Sequence, residues 1–123
     1  MMQGKEKSSK SGTTVSMNEN FKKATVEMLL LYILKDSKKY VYEMMQEITR
    51  SSGGNFQVAT LYPVIYRLSG FGYIAEAGIQ MSPDNRIRKY YAITDSGKKH
   101  LEDLMVEYKR LCSGVNQIFT AAL

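Results

Sequence analysis

Few side chains in this sequence are equipped for chemistry. There is one histidine, His100, and one cysteine, Cys112, and neither sits in a Cys, Asp or Glu cluster at metal-ligand spacing. A single imidazole without a supporting motif does not assemble a Ser-His-Asp or Cys-His set. Gly70-Phe71-Gly72 closes a helical pattern and enters a strand pattern, the reverse of a phosphate-binding loop. No catalytic residue, metal site or cofactor is therefore expected, with His100 a solvated helix residue and Cys112 a core or interface thiol. The informative side chains are aromatic and cationic. Tyr62, Tyr66 and Arg67 lie in ATLYPVIYRLSGFGYI (59–74), and Arg86, Arg88, Lys89 and Tyr90 lie in NRIRKYY (85–91). Hydroxyls, rings and cations in this mixture suit phosphate and base contacts rather than turnover.

Such residues need a scaffold, and 123 residues provide one small domain. The net charge of +5 is spread along the chain rather than gathered in a tail, so an anionic partner has to be argued from placement. The longest apolar run, Met28 to Leu34, falls far short of the ~20 residues of a membrane span. The first residues lack the apolar stretch of a secretory signal, and the single thiol agrees with a cytoplasmic location. Residues 1–19, rich in Ser, Thr, Gly and Lys without periodicity, read as a disordered tail.

From Asn20 to about Asp36 a helix is expected whose second half, MLLLYIL, is apolar all round and must be buried on more than one face. Val41, Met44, Met45 and Ile48 then mark a short amphipathic helix, ended by SSGGN. Val58, Leu61, Ile65 and Leu68 give the quoted stretch its own apolar face. Pro63 is tolerated there because the first turn of a helix has free N–H groups anyway. Two short helices across a Gly-containing turn outline a helix-turn-helix. YIAEAGIQM and IRKYYAIT, separated by SPDNR, read as a β-hairpin, and a hairpin in this position is a wing. Thr94, Asp95 and Ser96 are competent caps for a last helix. The expected fold is mainly α with a small β-hairpin: a winged helix-turn-helix over 20–95 and a C-terminal dimerisation helix over 96–123.

On an ideal helix the apolar stripe of the quoted segment leaves Ala59, Thr60, Pro63, Tyr66 and Arg67 on the far side, with Gln57 and Tyr62 at its edges. None is acidic, so this face can enter a DNA groove, while Arg86, Arg88, Lys89 and Tyr90 on the wing would grip phosphate or the adjacent minor groove. In the last helix Leu101, Leu104, Met105, Tyr108, Leu111, Cys112, Val115, Ile118 and Phe119 form an apolar seam, broken in pattern at Ser113-Gly114. With Met28, Leu31 and Tyr32 of the apolar first helix, this seam is more than one small domain easily covers, and a homodimer would bury both.

Several short elements in order resemble the PadR family of bacterial transcriptional regulators. They are Thr60-Leu61-Tyr62-Pro63, Arg67-Leu68, Gly72-Tyr73-Ile74, Arg88-Lys89-Tyr90-Tyr91, Ile93-Thr94 and Gly97, with weaker matches at Met28–Leu34 and Tyr42-Glu43-Met44. Ala59 and Val41 stand where the family often has glycine. The resemblance implies a winged helix-turn-helix dimer that represses transcription from double-stranded operator DNA, in the small subgroup with a single short C-terminal helix. It also implies a possible small aromatic or cationic effector held between subunits near Met28, Tyr32, Leu101, Met105, Tyr108 and Cys112. With no tryptophan, indole stacking is excluded. The rival reading is a winged-helix protein-interaction module without specific DNA binding, since fold does not fix function.

Overall fold

The computed structural model describes residues 11–121, and the described residues form four helices and a three-stranded antiparallel sheet. Helix α1 spans Thr14–Ile33. It starts earlier than Asn20 because Thr13 caps it, its hydroxyl accepting from Ser16 N–H at 3.0 Å. The part of the expected tail from Thr14 to Glu19 is thus helical, and its first ten residues lie outside the described residues. Leu30, Leu31 and Leu34 are fully buried, as an all-apolar run requires.

Strand β1, Lys39–Tyr40, leads directly into helix α2, Val41–Ser51. The Glu43 carboxylate reaches back to the Tyr40 N–H at 3.4 Å, and Val41, Met44 and Ile48 turn inward. After a loop held by the Ser52 hydroxyl, which accepts from Phe56 N–H at 2.9 Å, helix α3 spans Tyr62–Gly70. Its buried face is Val64, Ile65 and Leu68, with Leu61 fully buried just ahead of it.

The hairpin pairs β2, Ile74–Met81, with β3, Ile87–Ile93. Strand order is β1-β3-β2, so β3 is central and Tyr40 faces Tyr90 across it. The expected alternation along β3 is replaced by a gradient. Ile87 and Lys89 are exposed, whereas the consecutive Tyr90 and Tyr91 are both buried, because the inner half of the strand is covered on two faces and the outer half projects beyond the body. The register shifts between Glu76 and Ile79, where Gly78 has a φ of +103°. Only glycine takes that conformation readily, and the bulge twists the outer half of the wing.

Helix α4 spans Asp95–Thr120 without interruption at Ser113-Gly114. Its start is fixed to the wing's base. Thr94 caps it, accepting from Gly97 N–H at 3.0 Å, while Thr94 and Ser96 hydroxyls donate to Gly72 O at 2.6 and 2.9 Å. A Cβ on Gly97 would lie 2.0 Å from Tyr73 O, so only glycine lets the helix approach this closely. His100 is half-buried and stacks on Tyr73 at 4.1 Å between ring centroids, not solvated as its position in the helix suggests. One core of Leu, Ile, Val and Met joins α1, α2, α3, β2 and the first turns of α4. Among the described residues no helix is long and apolar enough to cross a membrane.

Candidate nucleic-acid interface

The N-terminal approach to α3 is an exposed loop, not helix: Gln57, Ala59 and Thr60 precede the first helical residue. Proline then occupies the second helical position, where a missing N–H costs nothing. Thr60 has a local task, its hydroxyl accepting from Tyr62 N–H at 3.4 Å at the helix start. Because Val64, Ile65 and Leu68 turn inward, Tyr62 (52% exposed) and Tyr66 (69%) must turn outward, 6.5 Å apart between centroids.

These two rings form one wall of a cleft of about 540 Å³. Tyr42 and Met45 of α2 contribute a second side, and Glu76, Arg88, Lys89 and Tyr91 of the hairpin a third. The structure therefore brings four of the expected residues together: Tyr62, Tyr66, Arg88 and Lys89. Arg88 is held over the Tyr40 and Tyr42 rings at 5.0 and 5.9 Å, which fixes a flexible cation in place. Its guanidinium also donates to Asp84 at 2.6 Å. Lys89 pairs with Glu76 at 3.3 Å. Each carboxylate raises its partner's pKa, so both cations stay charged. Asp84 itself is held below its ordinary value, first by the Ser82 hydroxyl and then by Arg88, while burial pushes the Tyr91 phenol up.

Other expected residues lie elsewhere. Arg67 points back to α1, where its Nε donates to Glu27 at 2.8 Å. Arg86 is exposed at the end of the wing loop, where its carbonyl accepts from Ser82 N–H at 2.8 Å. Tyr90 corrects an expectation. It is only 6% exposed, packed edge-on against Tyr40 at 5.3 Å and capped by Lys38, so it holds the wing to β1 and is not presented to a ligand. Sequence reasoning missed Tyr42 as a cleft residue. The signal was present in two aromatics, Tyr40 and Tyr42, flanking a helix start, but it became spatial only through the β1–β3 pairing.

The expected dimer residues also divide. Leu31 (0% exposed) and Leu101 (6%) belong to the chain's own core, where a second chain has nothing left to cover. Leu104 and Met105 pack partly against that core. Met28, Leu104, Tyr108, Leu111, Cys112 and Val115 line an apolar groove of about 480 Å³ between α1 and α4, with Phe21 of α1 packed edge-on to Tyr108 at 6.3 Å. Tyr32 lines a separate hollow and carries Lys35 over its ring at 4.5 Å. Beyond the groove Ile118 and Phe119 are about three-quarters exposed.

A helix-turn-helix with a basic hairpin hinged on a long terminal helix defines a winged-helix protein, and comparison with known proteins makes the class specific. The model of the transcriptional regulator PadR-like family matches residues 30–103, and the chain belongs to that family of DNA-binding regulators. A protein of Lysinibacillus sphaericus described only as uncharacterized is 36% identical over 85 residues, covering 68% of this chain and 77% of its own. A PadR-like transcriptional regulator from Bacillus cereus superposes with a TM-score of 0.69 at 25% identity, covering 81% of this chain and 96% of that one. A transcriptional regulator from Clostridium thermocellum shares the fold with a TM-score of 0.71 at 24% identity, over 80% and 96% of the two chains.

Proposed function

We propose that this chain is a cytoplasmic repressor that binds a pseudo-palindromic operator as a homodimer. The observation that carries this reading is the single cleft shared by Tyr62 and Tyr66 of α3 and Arg88 and Lys89 of the wing. In it α3 enters the major groove, Gln57, Ala59 and Thr60 leading, and the wing's cations hold the flanking phosphates. Two-fold symmetry then requires half-sites ~10 base pairs, or a multiple, apart. The interface between copies is the exposed end of α4, Leu111, Val115, Ile118 and Phe119, continued by the groove against α1. An apolar surface of this extent at a helix end favours a second chain over water. A small apolar or aromatic effector fits the groove beside Met28, Tyr108 and Cys112, because methionine adapts to flat ligands. Binding there would shift the packing of α4 and, through Gly97, the wing.

Fluorescence anisotropy with the protein's own promoter and with a scrambled duplex, at low and near-physiological salt, tests this. Promoter binding that persists at physiological salt while the scramble dissociates supports the repressor reading. Equal, weak binding abolished by salt refutes it. The protein-interaction reading has one observation in its favour: Ile79, Met81 and Ile87 are exposed apolar residues on the outer wing. It takes precedence if no duplex is preferred.

A further inference from the structure

Most of the cations expected to meet DNA are already paired within the chain. Arg67 pairs with Glu27, Arg88 with Asp84 and Lys89 with Glu76, so three of the four basic residues nominated for DNA each face a carboxylate of the same chain. The partners come from three different elements: α1, the wing loop and β2. Two of the pairs border the cleft between α3 and the wing, which Glu76, Arg88 and Lys89 line.

Resting on the DNA-binding reading, we infer that Glu27, Asp84 and Glu76 are specificity-determining residues that stand in for phosphate on the free protein and oppose binding to random DNA. Each pair is a single-point contact between partly exposed groups, unlike the two-bond Arg110–Glu107 pair on α4 at 3.0 and 2.7 Å. Exposed pairs of this kind are weak and exchange readily for another anion. Asp84 leaves part of the Arg88 guanidinium unmatched, since its covered Nε finds no acceptor among the described residues.

Phosphate contact with such a surface replaces one anion by another, and the gain in attraction is small. On random duplex, where phosphate contact is the whole of the binding, the carboxylates stay beside the cations and repel the backbone. On the operator, base contacts from the α3 approach and its tyrosines hold the duplex close enough for phosphates to displace them. The carboxylates therefore penalise the random complex more than the specific one. Asp84 is held below its ordinary pKa, first by the Ser82 hydroxyl and then by Arg88, and so stays ionised at neutral pH.

The test compares Glu76→Gln/Asp84→Asn with Glu19→Gln/Glu102→Gln, a double variant of equal net charge whose acids lie on α1 and α4 away from the cleft, and adds Glu27→Gln as a single variant. Asparagine keeps the acceptor for Ser82, and thermal melting checks that each variant is folded. Random-duplex affinity is expected to rise about fivefold per carboxylate removed, the worth of one unit-charge interaction at 4 Å in water. Operator affinity should rise less, so that the specificity ratio falls, and the control pair should change neither by more than about twofold. Random affinity unchanged in the face variants, or operator and random affinity rising together, overturns the inference while leaving DNA binding intact. If neither wild type nor any variant binds a duplex at low salt, the DNA-binding reading itself fails and the inference fails with it.

Discussion

The cleft between α3 and the wing and the groove between α1 and α4 are of similar size, about 540 and 480 Å³, but are built on opposite principles. The cleft is lined by rings and charges whose positions are locked by partners: Arg88 by two tyrosines and Asp84, Lys89 by Glu76, Tyr91 by burial. The groove is lined mainly by methionine, leucine, valine, aromatic rings and a thiol, with Thr25, Glu107 and Asn116 as its polar members. A surface that reads a regular polyanion gains from preorganised cations, whereas one that meets a second copy or a small apolar ligand gains from adaptable contact. The wing and α4 are joined at Thr94, Ser96 and Gly97, where the end of β3 and the start of α4 bind the carbonyls of Gly72 and Tyr73.

Predictions follow that separate the two regions. Leu111→Glu/Phe119→Glu should convert dimer to monomer in sedimentation and weaken operator binding at least ~100-fold, because each half-site is then held alone; a dimer that survives removes α4 from the interface. Arg88→Ala/Lys89→Ala should leave the oligomeric state untouched, weaken operator binding by roughly 30-fold with a salt slope reduced by about two, and weaken random-duplex binding less, because there the two cations stay paired with Asp84 and Glu76. Tyr62→Ala should cost operator affinity about tenfold, a typical loss for a groove-facing contact, whereas Tyr90→Phe should change it less than about twofold since that ring faces Tyr40. The smallest effect is one of pH. Asp84 has a lowered pKa in the folded chain, so its contribution to wing stability is fully present above the ordinary value of 3.8 and is lost as pH falls through the lowered one. Hydrogen-exchange protection of the Ser82–Arg86 loop, taken relative to the intrinsic rate at each pH, should fall only in that acid range, and Asp84→Asn should abolish the dependence.

Much of this architecture is legible in residue spacing. The alternation of helical stripes, the SSGGN turn, the SPDNR loop and the Thr94 cap place α2, the hairpin, α4 and the body of α3 from Tyr62 onward, because each rests on local periodicity or capping, whereas the helix expected over Val58–Thr60 is loop. What was not legible depends on neighbours distant in sequence. Strand β1 has two residues and exists only as the partner of β3, so no pattern announces it. Tyr90 and Tyr91 break alternation where β3 lies between β1 and β2, whereas Ile87–Lys89 pair with β2 alone. Leu31 and Leu101 fall in the same apolar stripes as true surface residues, and only three-dimensional packing separates core from interface. Glu27 gives no hint in sequence that it faces Arg67, since forty positions separate them.

The central claim is that DNA engages the α3–wing cleft while α4 holds the dimer. Hydrogen-exchange mass spectrometry with and without operator duplex tests it most directly. Added operator should slow exchange in residues 57–67 and 82–90 and leave 108–119, which the proposed dimer covers with or without DNA, unchanged. Protection confined to α1 and α4, with the cleft exchanging as in the free protein, would contradict the account.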